Sequence, residues 1–338
     1  MGGGSFKIQG GDKVRCFLES PSGKLMIAAV GDNGIVHSLH EFKTTNQENG
    51  NLNVMGGEIW SRRGQTPLFE RLAIQWDEII KNGKYPFPKK KKIEIRRSLV
   101  GIAMDMSEVE EIIIDYLEKL QEATVACRNL GGVDKQKSGT AYKDPTVILR
   151  RKAEDVLIKL VIILRKLPGI VTDLTERKIH GDDRFVSELQ ELLPEGHPDR
   201  EHIENDRGWL GELFFLRGQI EHQKWEVDPF EIIPHPGYPS GCDGKDCHIS
   251  VESQERSPIP LCGYLEVTFS NVFGLIEDAI LLSVVSSIEE PMTIARIPDT
   301  EAHKNGYARY KLTLTPEFLE KSGFPGGGEP TPPATEQS

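Results

Sequence analysis

Ser107-Glu-Val-Glu-Glu-Ile-Ile-Ile-Asp-Tyr-Leu-Glu-Lys-Leu-Gln-Glu-Ala-Thr-Val-Ala-Cys127 is the stretch on which the fold turns. Val109, Ile113, Leu117, Leu120, Ala123 and Cys127 recur at helical spacing and lie along one face of an α-helix. Ser107-Glu-Val-Glu110 fits a capping box, in which the Ser side chain and the later Glu satisfy free amides at a helix start. Gly131-Gly132 is expected to end this helix, and residues 133–144 to form a polar loop. Asp144-Pro145 opens a second helix with Val156, Leu157, Leu160, Val161 and Leu164 on its face, closed by Pro168-Gly169. Two such helices joined by a short loop should pack antiparallel, because each has an apolar stripe to bury.

Upstream, the signals change to those of strands. Val14–Leu18 and Leu25–Val30 are short apolar runs separated by the turn Ser20-Pro-Ser-Gly23, and Gly31-Asp-Asn-Gly34 precedes a third run, Ile35–Leu39. A small antiparallel meander follows, and residues 43–57, polar and rich in Asn and Gly, read as a loop. Thr66-Pro67 starts a helix carrying Leu68, Leu72, Trp76, Ile79 and Ile80, and Asn82-Gly83 stops it. Ile93–Ile102 alternates and reads as a strand.

Downstream, weaker helical signals occupy 170–193 and end at Pro194-Glu-Gly196. A stronger helix starts near Asp206 with Trp209, Leu210, Leu213, Phe214 and Ile220, and reaches about His222. Ser270 is the expected cap of a last helix with Phe273, Ile276, Ile280 and Val284. Met292–Ile297 and Tyr307–Leu314 read as strands, and the tail from Pro325 as disordered by composition. The expectation is an α+β protein: an antiparallel helical bundle with a small β-containing N-terminal part and C-terminal strands. Its parts are 1–104, a helical core over 105–290 with an inserted Pro/Gly/Cys loop at 229–262, strands over 291–324, and a tail over 325–338.

The chain of 338 residues carries 41 Lys+Arg against 52 Asp+Glu, a formal net charge of −11, which excludes indiscriminate coating of nucleic acid. No run approaches the roughly 18 apolar residues a bilayer span needs, so no membrane association is expected. Met1–Phe6 lacks a charged region followed by an apolar core, and Phe6 stands where a myristoylation pattern needs Ser or Thr. The five cysteines are sparse and odd in number, which points to free thiols in a reducing, cytoplasmic setting. The charge is uneven: residues 81–97 hold eight Lys/Arg and one acid, whereas 184–231 hold twelve acids and five Lys/Arg.

The sharpest chemical feature is Phe215-Leu-Arg-Gly-Gln-Ile-Glu-His-Gln223. Leu216, Arg217, Ile220 and His222, after long helices, resemble the Leu-Arg-Asn-x-Ile-x-His signature of the HEPN superfamily of α-helical bundles; Gly218 departs from it. The resemblance covers about residues 105–225. It implies an RNA-directed protein, a metal-independent endoribonuclease of a toxin or anti-phage defence system, built as a homodimer and using no cofactor. Arg217 would bind the scissile phosphate through its fixed parallel donors, and His222 would act as general acid/base on a ribose hydroxyl. On an ideal helix the two lie about 140° apart, so a helix end, a distortion at Gly218 or a second chain must bring them together. Arg217 and Glu221 are also i,i+4 neighbours suited to a surface ion pair, and a His at a helix C-terminus suits the dipole. The rival reading is a non-catalytic helical module that dimerises or docks a basic protein partner on the acidic face.

Two further clusters carry candidate chemistry. Lys89, Lys90, Lys91 and Lys92, with Arg96 and Arg97, are candidate phosphate contacts, although charge runs are commonly solvated loops. Cys242-Asp-Gly-Lys-Asp-Cys247-His248, with His235 and Cys262, offers zinc-type ligands, but no second Cys pair follows, and a hairpin turn at Asp243-Gly244 accounts for the spacing. No metal is therefore expected. The four tryptophans read as core or interface residues.

Overall fold

A computed structural model describes residues 13–30, 35–46, 52–61, 63–130, 144–181, 184–193, 195, 197, 199–234, 242–249, 258–298, 301 and 307–322. The turn at Gly31–Gly34, the loop at 133–143, His235 and the tail from Pro325 lie outside these residues. The fold is α+β and mostly helical.

A four-stranded antiparallel meander comes first: β1 (Lys13–Glu19), β2 (Leu25–Val30), β3 (Val36–Asn46) and β4 (Leu52–Ser61), paired in that order. The β1–β2 turn is as expected, with Gly23 at φ 81, a left-handed angle that glycine takes without strain. The loop expected at 43–57 is instead most of a hairpin, with Thr44 opposite Val54. The β-branched Thr44 and Thr45 favour extended backbone.

A π-helical turn, Glu70–Ile74, leads into α1 (Gln75–Asn82), which stops at Gly83 as expected. Glu70 is buried, and its carboxylate accepts the amide of Val36 at 2.5 Å, which hooks the sheet to this turn. Helix α2 (Lys89–Leu130) corrects two expectations. Ile93–Ile102 is helical, because Ile95, Leu99, Ile102, Ala103 and Met106 are all buried at helical spacing, a longer pattern than the local alternation. Ser107 does not cap; it is buried within the helix and donates to the Ala103 carbonyl. The helix also runs unbroken across residue 104.

Helix α3 (Thr146–Thr175) begins where Asp144 accepts the Thr146 amide at 2.9 Å. It continues through Pro168, the expected end, because Leu167, Ile170, Val171 and Leu174 beyond or beside that residue are buried. Three ion pairs give the direction of packing: Lys152 with Asp115, Lys159 with Glu108 and Lys166 with Asp105. Numbers rise on one helix as they fall on the other, so α2 and α3 are antiparallel, as expected.

Two shorter elements follow, α4 (Phe185–Gln190) and α5 (Asp199–Glu221). Small strand pairs come next: β5 (Glu231–Pro234) with β6 (Cys242–Lys245), and β7 (His248–Ile249) with β8 (Ile259–Pro260). Helix α6 (Leu261–Ser287) starts nine residues before Ser270, which lies exposed along it. The helix has the length and composition to cross a membrane, contrary to the sequence expectation; 67% of its apolar window is buried against the rest of the fold, as in a core helix. Strands β9 (Met292–Arg296) and β10 (Tyr310–Leu314) pair antiparallel, and α7 (Pro316–Lys321) follows. Tyr116, Leu157, Leu160, Val272, Ile276 and Ile280 meet in the core formed by α2, α3 and α6. Trp76 and Trp225 are buried as expected, and Trp209 is half-buried.

Candidate functional site

Helix α5 carries the Arg217/His222 pair. It is regular through Gly218 and ends at Glu221, where Gln223 turns left-handed at φ 56. Arg217 pairs with Glu221 one turn on, and its Nε is buried without a hydrogen-bond partner. His222 lies exposed just past the helix end, and its ring makes no hydrogen bond or ion pair with a described residue. Backbone distortion at Gly218 therefore does not redirect either side chain, and Arg217 engages a carboxylate of its own chain.

The lysine run divides. Lys89 and Lys90 are exposed at the start of α2, and Lys90 lies 3.8 Å from Glu94. Lys91 lies 3.6 Å from Glu176 and 3.9 Å from Asp173. Lys92 donates to the Gly83 carbonyl at 2.6 Å and covers the Tyr85 ring; desolvation holds its ammonium below the usual lysine range. Arg96 and Arg97 pair with Asp77 and Glu19. The last four cations thus tie α2 to its neighbours, leaving Lys89 and Lys90 as the more solvated ends of the run.

The cysteine cluster is organised by a carboxylate. Asp246 is buried and accepts from the Tyr116 hydroxyl at 2.6 Å and from the amides of Cys247 and Cys262 at 2.8 Å each. Cys262 is the second residue of α6, so Asp246 also satisfies a free amide at that helix start. Burial and the Asp246 charge push the Cys247 thiol up to about 12 and the Cys262 thiol up to about 11. Such thiols are protonated and unreactive at neutral pH. Among the described residues no group of three His, Cys, Asp or Glu side chains could hold a metal; the Cys242 side chain and His235 are outside them.

Two clefts remain. The first, about 670 Å³, lies between α2, α6 and the segment 66–71. Its charged groups face one another. Arg71 grips Glu277 through two nitrogens and stacks 4.2 Å over Phe273, Arg309 lies 3.6 Å from Glu277, and Glu110 accepts the Thr66 amide at 2.9 Å. Gln75 adds its side-chain oxygen to the amides of Arg309 and Tyr310. These bonds join the N-terminal part, α6 and the C-terminal strands.

The second cleft, about 430 Å³, opens between α3, α4 and α5. Leu164, Pro168, Phe185, Val186, Leu210 and Phe214 give it apolar walls, and Arg165 and Arg207 are its charged residues. Gly211 also lines it; a Cβ built there meets nothing within 4 Å. Arg207 is held by Glu204, at 2.7 and 3.0 Å, and by Ser187 at 2.9 Å. Arg165 is exposed and has no hydrogen-bond or ion-pair partner among the described residues. Sequence reading missed this site. Its one local trace is Gly208 and Gly211 inside an otherwise helical pattern, where each glycine costs about 1 kcal/mol relative to alanine.

No family model, curated protein or solved structure matches this chain. The site geometry therefore carries the functional argument.

Proposed function

We propose that this chain is a non-catalytic helical binding module that works through the α3–α4–α5 cleft. One observation carries the reading: the cleft is concave, apolar and of small-molecule size, and among the described residues its charged groups are two arginines. The cleft between α2 and α6 is less suited, because both of its arginines already engage Glu277. The test uses Nile red, a neutral dye whose emission rises in apolar surroundings. Purified full-length protein should raise its emission. Gly211→Leu should abolish the rise by filling the cleft, with helix propensity favouring the variant by up to about 1 kcal/mol. If Gly211→Leu folds and binds the dye as the wild type does, the cleft is not the site.

A second reading, an RNA-directed bundle of HEPN type acting as a homodimer, is favoured by the exposed, unpartnered imidazole of His222. An acid–base histidine needs that accessibility. In this reading the partner of His222 comes from a second chain, because Arg217 of the same chain engages Glu221. It requires cleavage of single-stranded RNA in the presence of chelator, lost in both Arg217→Ala and His222→Ala. Cleavage that persists in either variant rejects that assignment.

A further inference from the structure

The α3–α4–α5 cleft has an asymmetry that bears on what it takes. Among the described residues its lining contains arginines and no acidic residue, in a chain whose net charge is −11 and whose α5 region is rich in acids. The two arginines differ. Arg207 is neutralised by Glu204 and oriented by Ser187, so it acts as a fixed wall. Arg165 sits one residue before Lys166, which is paired with Asp105, and six after Lys159, which is paired with Glu108. Arg165 itself has no such partner among the described residues. Its exposure keeps it beside water, while Leu164 and Pro168 on the same helix are buried in the apolar wall.

We propose that this cleft binds a small amphiphile with one anionic head group, of which a medium-chain carboxylate is the simplest representative. The proposal rests on the cleft being the binding site. The apolar body would displace water from the surfaces of Phe185, Leu210 and Phe214. The head would remain at the mouth, where the Arg165 guanidinium offers parallel donors to a carboxylate. A charge held there stays hydrated on one side, so the desolvation penalty of a buried anion is avoided. Gly211 leaves room for the body: beyond its own helix turn, no atom of the described residues lies within 4 Å of where its side chain would begin.

The experiment is isothermal titration calorimetry of the full chain with decanoate, kept below its micellar concentration, and with 1-decanol, an uncharged molecule of the same length. Decanoate should bind about tenfold or more tightly than decanol, as expected for one hydrogen-bonded charge pair. Arg165→Gln should remove that preference while leaving decanol binding unchanged, and raising the salt concentration should narrow it in the wild type. Gly211→Leu should abolish binding of both. Arg165 is exposed, so Arg165→Gln tests the head-group contact without disturbing the core. Equal affinity for decanoate and decanol, or a preference that survives Arg165→Gln, overturns the anionic assignment and leaves the cleft reading standing. Failure of the wild type to bind decanoate, decanol or Nile red overturns both.

Discussion

Tyr116→Phe removes one oxygen from the centre of the molecule, and its cost can be worked from the structure. The Tyr116 side chain is fully buried, and its hydroxyl donates to Asp246 at 2.6 Å. A hydrogen bond to a charged group contributes about 1.5–3 kcal/mol, so Tyr116→Phe should destabilise by that amount. Asp246→Ala should cost more. It strands the Tyr116 hydroxyl and the amides of Cys247 and Cys262, three donors at about 1–3 kcal/mol each. It also removes the acceptor at the α6 start, where a lost cap costs about 0.5–2 kcal/mol. In the double variant the hydroxyl is gone and cannot be stranded. The double should therefore cost less than the sum of the singles, with a coupling of at least about 1.5 kcal/mol. Urea unfolding followed by circular dichroism measures all four proteins. A Tyr116→Phe cost under about 0.5 kcal/mol, or additive single effects, refutes the reasoning.

Three other outcomes are expected. Glu277→Gln leaves the half-buried Arg71 without its carboxylate and should cost about 3 kcal/mol in urea unfolding, whereas Arg71→Met/Glu277→Leu together should cost less than either alone. The Cys247 and Cys262 thiols should resist Ellman's reagent in the folded protein at neutral pH. Their folded pKa values are raised from 9.0 to about 12 and about 11, so their contribution to stability is complete below pH 9.0 and is lost as pH rises toward the folded values. The urea midpoint should accordingly fall less above pH 9.0 in Cys247→Ala/Cys262→Ala than in the wild type. Lys92→Ala should cost about 1 kcal/mol through its bond to Gly83, while Lys89→Ala/Lys90→Ala should stay within about 0.5 kcal/mol of wild type.

Local signals were legible where a short segment carries its own reason. Ser20–Gly23 turns because Gly23 takes a left-handed angle, Asp144 starts α3 by accepting the Thr146 amide, and Asn82-Gly83 ends α1. Local signals misled where a neighbour outweighed them. Ile93–Ile102 alternates like a strand, yet Ile95, Leu99 and Ile102 are buried as one helical face. Pro168 and Ser270 look like a stop and a cap, yet burial of the residues around them carries both helices through. The heptad spacing of Lys152, Lys159 and Lys166 is readable in the chain, but the acids they pair with on α2, which give the antiparallel register, are not.

The sequence by itself determined the fold class, the long amphipathic helices, the first turn of the meander and the terminal strand pair. Each depends on periodicity or turn chemistry within a few residues. Tertiary structure alone decided the rest. Arg217 appears in sequence as a phosphate binder or a surface ion pair, and the fold turns it to Glu221. Asp246 carries no reading of its own in the sequence until Tyr116, 130 positions away, brings it a hydroxyl. Arg165 and Gly211 carry no motif. The proposed site arises from them only because α3 and α5 meet with α4 between, leaving one arginine without an acid among the described residues and one glycine facing open space. Charge compensation and free volume are properties of what surrounds a residue in space, and no window along the chain contains them.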